Sequence, residues 1–147
     1  MGRADTLYYL DANIGNSTTP VTQMVAATFS GTFVGNGHKI YAQINSNTTN
    51  VGLFSTLNNA EIYNLIIDGT ITGGDSSQFV GGLAGTISNS SIHLCHNLAN
   101  VTGGGTFSSV GGIAGEINGL SFIVGCTNKG TITGGQYVAG ITGIISG

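Results

Sequence analysis

Charge is what this sequence has least of. Its 147 residues carry three Lys and Arg against six Asp and Glu, a net charge of −3. Three dispersed cations, Arg3, Lys39 and Lys129, cannot follow a phosphate backbone, which excludes a nucleic-acid partner. No run reaches 18 apolar residues, so no membrane span is expected. Arg3 is followed by ADTLYYLDAN rather than an apolar run, so no signal peptide is visible. MGRADT fits a short acylation pattern, too short to carry weight. There is one Pro, and charged residues make up 6%. Disordered chains need more charge and fewer branched apolar side chains than this. Two cysteines are too few to fix the redox compartment.

What the chain does have is glycine, 26 residues of it, with abundant Thr, Ile, Val and Asn. The glycines follow no G-X-Y period, which excludes collagen. β-Branched residues between Gly and Asn read as strands and turns, in a chain long enough for one domain with a core.

The dominant signal is repetition. VGLFSTL, VGGLAGTI, VGGIAGEI and VAGITGII begin at Val51, Val80, Val110 and Val138, spaced 29, 30 and 28 residues apart. A second segment keeps register with the first: EIYNLIIDGTITGG from 61, SIHLCHNLANVTGG from 91 and FIVGCTNKGTITGG from 122. Leu65, Cys95 and Cys126 share a column, as do Ile71, Val101 and Ile132. An upstream stretch, FSGTFVGNGHKIYAQI (29–44), reads as an earlier coil in which Ile40-Tyr41 aligns with Ile62-Tyr63. Within LAGTI, positions 83, 85 and 87 alternate with 84 and 86, the period of a half-buried strand.

A unit of 28–30 residues and about three short strands cannot bury a core alone; stacked copies can. The expected fold is therefore all-β: a right-handed parallel β-helix of about four coils over 29–147, with VGGLAGTI as one wall. Its glycines would mark bends, positive φ, or a narrow interior. An antiparallel propeller or sandwich is disfavoured because N-G and D-G turns are few. Residues 1–28 are less repetitive and read as a cap. Pro20 would start a short helix with Val21, Met24 and Val25 on one face, and YYL at 8–10 would be a strand.

The motif V-G-G-[LI]-A-G, followed by N-x-G and I-T-G-G, resembles the GLUG-motif repeat over about residues 29–147. That resemblance implies a right-handed parallel β-helix in secreted or surface-anchored, adhesin-like microbial proteins. Some relatives join such repeats to a zinc metallopeptidase; this chain has no H-E-x-x-H, so that activity is not carried over.

Site chemistry is sparse. Cys95 and Cys126 read as free, stacked core thiols. His93 and Cys95 would share a strand face with His96 opposite, and no fourth ligand is near, so no metal is expected. Asp68 stacks with Leu98 and Lys129, so there is no carboxylate ladder, and no acid/base pair signals an enzyme or a cofactor. His38 reads as a turn residue. Tyr41 and Tyr63 are the only stacked aromatics expected. Asn97 and Asn128 would stack as an amide ladder. Four N-x-[ST] sequons, at Asn16, Asn47, Asn89 and Asn100, are near chance in so Asn- and Thr-rich a chain.

Two surfaces remain. Thr70 and Thr72, Asn100 and Thr102, and Thr131 and Thr133 would form a ladder on an outer wall, able to meet ice or a glycan. A short solenoid also has two exposed ends that invite pairing. Val138, Ile141, Ile144 and Ile145 at one end, with Tyr8 and Tyr9 at the other, are the expected stacking interface. The partners expected are the chain itself, head to tail, or a host or cell-surface component outside the cell.

Overall fold

The computed structural model describes residues 6–147; Arg3 and the acylation pattern's Gly2 lie outside the described residues. The chain winds as a parallel β-solenoid of about four coils, and no helix occurs among the described residues. Leu7–Tyr9 (β1) opens it, followed by two single bridges, Ile14 to Ile40 and Val21 to Ala42. The first full coil holds Ala26–Phe29 (β2), Thr32–Val34 (β3), Lys39–Ser46 (β4) and Asn50–Val51 (β5). The second holds Phe54–Asn58 (β6), Glu61–Tyr63 (β7), Ile66–Gly73 (β8) and Phe79–Gly81 (β9). The third holds Ala84–Ser88 (β10), Ser91–His93 (β11), His96–Asn97 (β12), Asn100–Gly103 (β13) and Ser109–Gly111 (β14). The fourth holds Ala114–Asn118 (β15), Phe122–Val124 (β16), Thr127–Asn128 (β17), Ile132–Thr133 (β18) and Tyr137–Ala139 (β19), and Thr142–Ile145 (β20) starts another turn.

Each strand pairs in parallel with its counterpart in the next coil, giving four walls. The first wall runs β2-β6-β10-β15-β20 and the second β1-β3-β7-β11-β16. On the third, β4 pairs β8, which pairs β12 and β13, which pair β17 and β18. The fourth runs β5-β9-β14-β19. Like residues therefore stack. Ile62 pairs with Ile92 and Ile92 with Ile123, Val80 with Val110 and Val110 with Val138. Leu65, Ile67, Ile71, Leu83, Ile87, Ile92 and Ile113 are fully buried. Burying each such side chain stabilises by about 1.5–3 kcal/mol before entropy is charged. Towards the first coils the interior is aromatic: Phe29, Phe33 and Phe54 meet at centroid distances of 5.3–6.2 Å, with Tyr8 5.6 Å from Phe29.

Several expectations are corrected. Residues 20–25 form no helix. Val21 bridges Ala42 and packs with Met24 against the core, because an open strand edge rewards extended backbone over a lone helical turn. β1, the two bridges and the start of β2 pair with the coil that follows. VGGLAGTI is not one wall; it turns between β9 and β10, and each coil has four walls rather than three strands. The period-2 pattern also fails there. Leu83 and Ala84 are both fully buried, and a Cβ on Gly85 would lie 2.6 Å from the Val51 nitrogen. Ile40-Tyr41 does not match Ile62-Tyr63. Phe33 and Val34 pair with those residues, and Ile40 and Tyr41 pair with Ile67 and Asp68.

Two left-handed corners bracket the short second-wall strands. One is Asn59, Asn89 and Gly119 at φ of 54°, 48° and 62°; the other is Asn64, Leu94 and Gly125 at 53°, 54° and 65°. Asn and Gly tolerate this conformation; Leu adopts it only at a steric cost. Leu94 also overturns the expected His93–Cys95 face. The corner between them turns His93 outward, stacked on Tyr63 at 4.9 Å, while Cys95 is fully buried. The aromatic neighbour of Tyr63 is thus His93, not Tyr41.

Candidate functional site: the end rungs and an outer polar ladder

The third wall's outer face carries a polar ladder. Thr70 pairs with Asn100 and Thr72 with Thr102, and Thr102 pairs with Thr133. Asn100 Oδ1 accepts the Thr131 N–H at 3.0 Å, tying the third and fourth rungs. The structure brings all six expected residues together and adds a rung that the misaligned first coil had hidden: Gln43 pairs with Thr70 and Asn45 with Thr72. Eight uncharged hydrogen-bonding side chains thus stand in two columns about 4.8 Å apart along the axis.

Inside the same wall the aliphatic column changes character. Ile40 and Ile67 are followed by Asn97 and Asn128. Asn97 is fully buried. Its Nδ2 donates to the Ala99 carbonyl and to Asn128 Oδ1, both at 2.8 Å, and its Oδ1 accepts the Ala99 N–H at 3.2 Å. Asn128 holds Gly130 in the same way. These amides satisfy backbone groups where the wall breaks between β12 and β13 and between β17 and β18. The paired glycines make room for them: a Cβ on Gly82 would lie 2.5 Å from Asn97 Oδ1. In the second coil, where no Asn performs this task, Gly69 stands at φ 98° with its missing Cβ against the Ala42 carbonyl.

Asp68, Glu61 and Glu116 each have partners within the fold. Lys39 Nζ donates to Asp68 Oδ2 at 2.8 Å, and the Gly69 N–H donates to Asp68 Oδ1 at 2.8 Å. Burial pushes the Asp68 carboxyl up, but these bonds and the Lys39 charge outweigh it and hold it below the usual value. Glu61 accepts from Thr32 and Tyr63 at 3.5 and 3.4 Å, and Glu116 from Ser146 at 2.7 Å. Among the described residues no three His, Cys, Asp or Glu side chains gather to hold a metal ion. Among the described residues no helix is long and apolar enough to cross a membrane. His38 follows the Asn36-Gly37 turn, its N–H donating to the Gly35 carbonyl at 2.9 Å.

The ends differ from the middle. On the second wall's outer face one column reads Leu7, Thr32, Glu61, Ser91, Phe122. Its three inner rungs are polar and its two end rungs are apolar, with Leu7 51% and Phe122 60% exposed. The first wall's outer column ends likewise, Thr28, Thr56, Thr86 and Glu116 giving way to Ile144. Of the residues expected at the ends, Tyr8, Tyr9, Val138 and Ile145 are exposed, while Ile141 and Ile144 are half-buried. Tyr8 caps the aromatic interior, and Ile141 lines a cavity at the far end with Ile117 and Ile123. Leu7, Phe122 and Val124 were missed as end residues. The signal was present in the sequence: Phe122 stands where the preceding repeats have Glu61 and Ser91.

Fold and surfaces together define a parallel β-solenoid with a polar ladder along one wall and apolar end rungs. Comparison with known families, with characterised proteins and with solved structures gives no match.

Proposed function

We propose that this chain is a non-catalytic structural and adhesive module outside the cell, associating head to tail through its end rungs. The observation that carries this is that two outer columns, polar on their inner rungs, end on exposed or half-buried apolar residues: Leu7 and Phe122 in one, Ile144 in the other. β1 and β2 at one end, and β16 and β20 at the other, leave parallel edges of the same two walls facing away from the stack. Such a contact is heterologous and does not close, so it builds a filament. The resemblance to GLUG-motif repeats supports placement in a secreted or surface-anchored protein, whose other partner is a host or cell-surface component. The scatter of the acids, three of which (Glu61, Asp68 and Glu116) are bonded internally, supports a non-catalytic reading.

The test is electron microscopy with sedimentation velocity across a concentration series. Filaments with an axial repeat near 24 Å, about five rungs at ~4.8 Å, are expected. Ile141→Lys, or removal of residues 138–147, should leave monomers. Monomers of the unaltered chain at every concentration, or filaments that survive both changes, overturn the joint.

A second reading, a ligand-binding wall, is favoured by the four-rung ladder from Gln43 to Thr133. Thermal hysteresis tests ice and a glycan array tests sugar; Thr72→Lys with Thr102→Lys should abolish either response, and silence in both assays refutes this reading.

A further inference from the structure

The two cysteines are the reactive groups that the proposed role does not use. Their flanks pair, His93 with Val124 and His96 with Thr127, so Cys95 and Cys126 stand on adjacent rungs of one column. Both thiols are free. The Cys126 sulfur leans back onto the third coil, where it accepts the Cys95 N–H at 3.4 Å. The Cys95 sulfur points on towards the second coil, 3.5 Å from the His93 carbonyl and 3.9 Å from that of Ile62. Cys95 is fully buried. Cys126, half-buried, lines a cavity of about 400 Å³ at the end of the stack, among Ile117, Ile123, Ile141 and Ile145.

Rung spacing of about 4.8 Å places the two Cα atoms inside the usual disulfide range of roughly 4.4–6.8 Å. Rotation of Cys95 about χ1 turns its sulfur from the Ile62 carbonyl towards Cys126. We propose that Cys95 and Cys126 form a thiol–disulfide site, oxidised by a low-molecular-weight disulfide that enters the end cavity, and that the product clips the fourth coil to the third. Cys126 attacks one sulfur of the small disulfide, forming a mixed disulfide and releasing one small thiolate. The Cys95 sulfur then attacks the Cys126 sulfur and expels the second small thiolate, which leaves carrying the Cys95 proton. Two protein thiols are oxidised and one small disulfide is reduced to two thiols. The order follows from the environment. Cys126 accepts the Cys95 backbone N–H and opens on the end cavity, which favours its thiolate, whereas burial pushes the Cys95 thiol up. Cys126 is thus the entry thiol and Cys95 the resolving one. The inference stands apart from the head-to-tail reading.

The experiment treats the folded chain, dilute enough to be monomeric, with dithiodipyridine, and follows thiopyridone release, intact mass and peptide mapping. The unaltered chain should lose two hydrogens in mass, map to a Cys95–Cys126 cross-link and show several-fold slower proteolysis after residue 126. Cys95→Ser should stop at one adduct on Cys126. Cys126→Ser should react only after denaturation. An unaltered chain that keeps a stable adduct, carries two adducts, or does not react overturns the clip, and the mapping needs no variant.

Discussion

Replacing Asn97 by Ala is the most searching test of how this solenoid is held. The change removes the acceptor of the Ala99 N–H and the donor to the Ala99 carbonyl, on a residue fully buried. Neither backbone group has water to turn to. Each orphaned buried group costs about 1–3 kcal/mol. Asn128 Oδ1 loses one partner as well but keeps the Gly130 N–H, so it adds little. The sum is about 3 kcal/mol, a fall in Tm of roughly 6–12 °C for a chain of this size. Asn97→Ile restores the aliphatic side chain found at Ile40 and Ile67 but makes none of these bonds, so it should lose a similar amount. Asn128→Ala, in the half-exposed last coil, should lose about 1 kcal/mol. Thermal and denaturant unfolding read the totals, and hydrogen exchange at Ala99 reads the local opening. If Asn97→Ala stays within about 0.5 kcal/mol of the parent, or Asn97→Ile exceeds it, the amide is not what holds the broken wall.

Two further outcomes follow from single residues. Leu94→Asn should stabilise by about 1 kcal/mol, because Leu at φ 54° carries a steric cost that Asn, the residue at Asn64 one coil earlier, largely avoids; unchanged or lower denaturant midpoints would contradict this. Asp68 is held below its usual 3.8, so its stabilisation is fully present above that value and fades as pH falls through the lower folded-state value. Asp68→Asn should therefore flatten the acid limb of a stability–pH curve, and an unchanged limb would show that the Lys39 pair does not contribute.

How far the sequence could be read depended on which residues carried the structure. The coil length and the stacking of Ile62, Ile92 and Ile123 were legible because parallel pairing sets like upon like. The corners were not. Asn64, Leu94 and Gly125 share a conformation but no chemistry, so the column is invisible to residue type. The first coil was misaligned because Asn36 and Gly37 lengthen its corner relative to the second. Val34 pairs 29 residues ahead with Tyr63, but Lys39 only 27 ahead with Ile66. Pro20 and the Val21, Met24, Val25 spacing suited a helix locally, and only the open edge of Ala42 decided otherwise. The six ladder residues were found because a strand's outward positions follow from its inward ones. The apolar end rungs were missed because a column must be read across coils before its odd members stand out.

Every strand pair joins residues 25 to 31 positions apart, from Leu7 with Thr32 to Ser91 with Phe122. Contact range therefore does not grow with the length of the chain. A duplicated stretch of about thirty codons, cut at any corner, would arrive with all its partners already specified: one neighbour above, one below. For most folds heredity must find a new core to make a protein larger. Here size is a counter that advances one coil at a time, and each advance leaves every existing contact but one interface untouched.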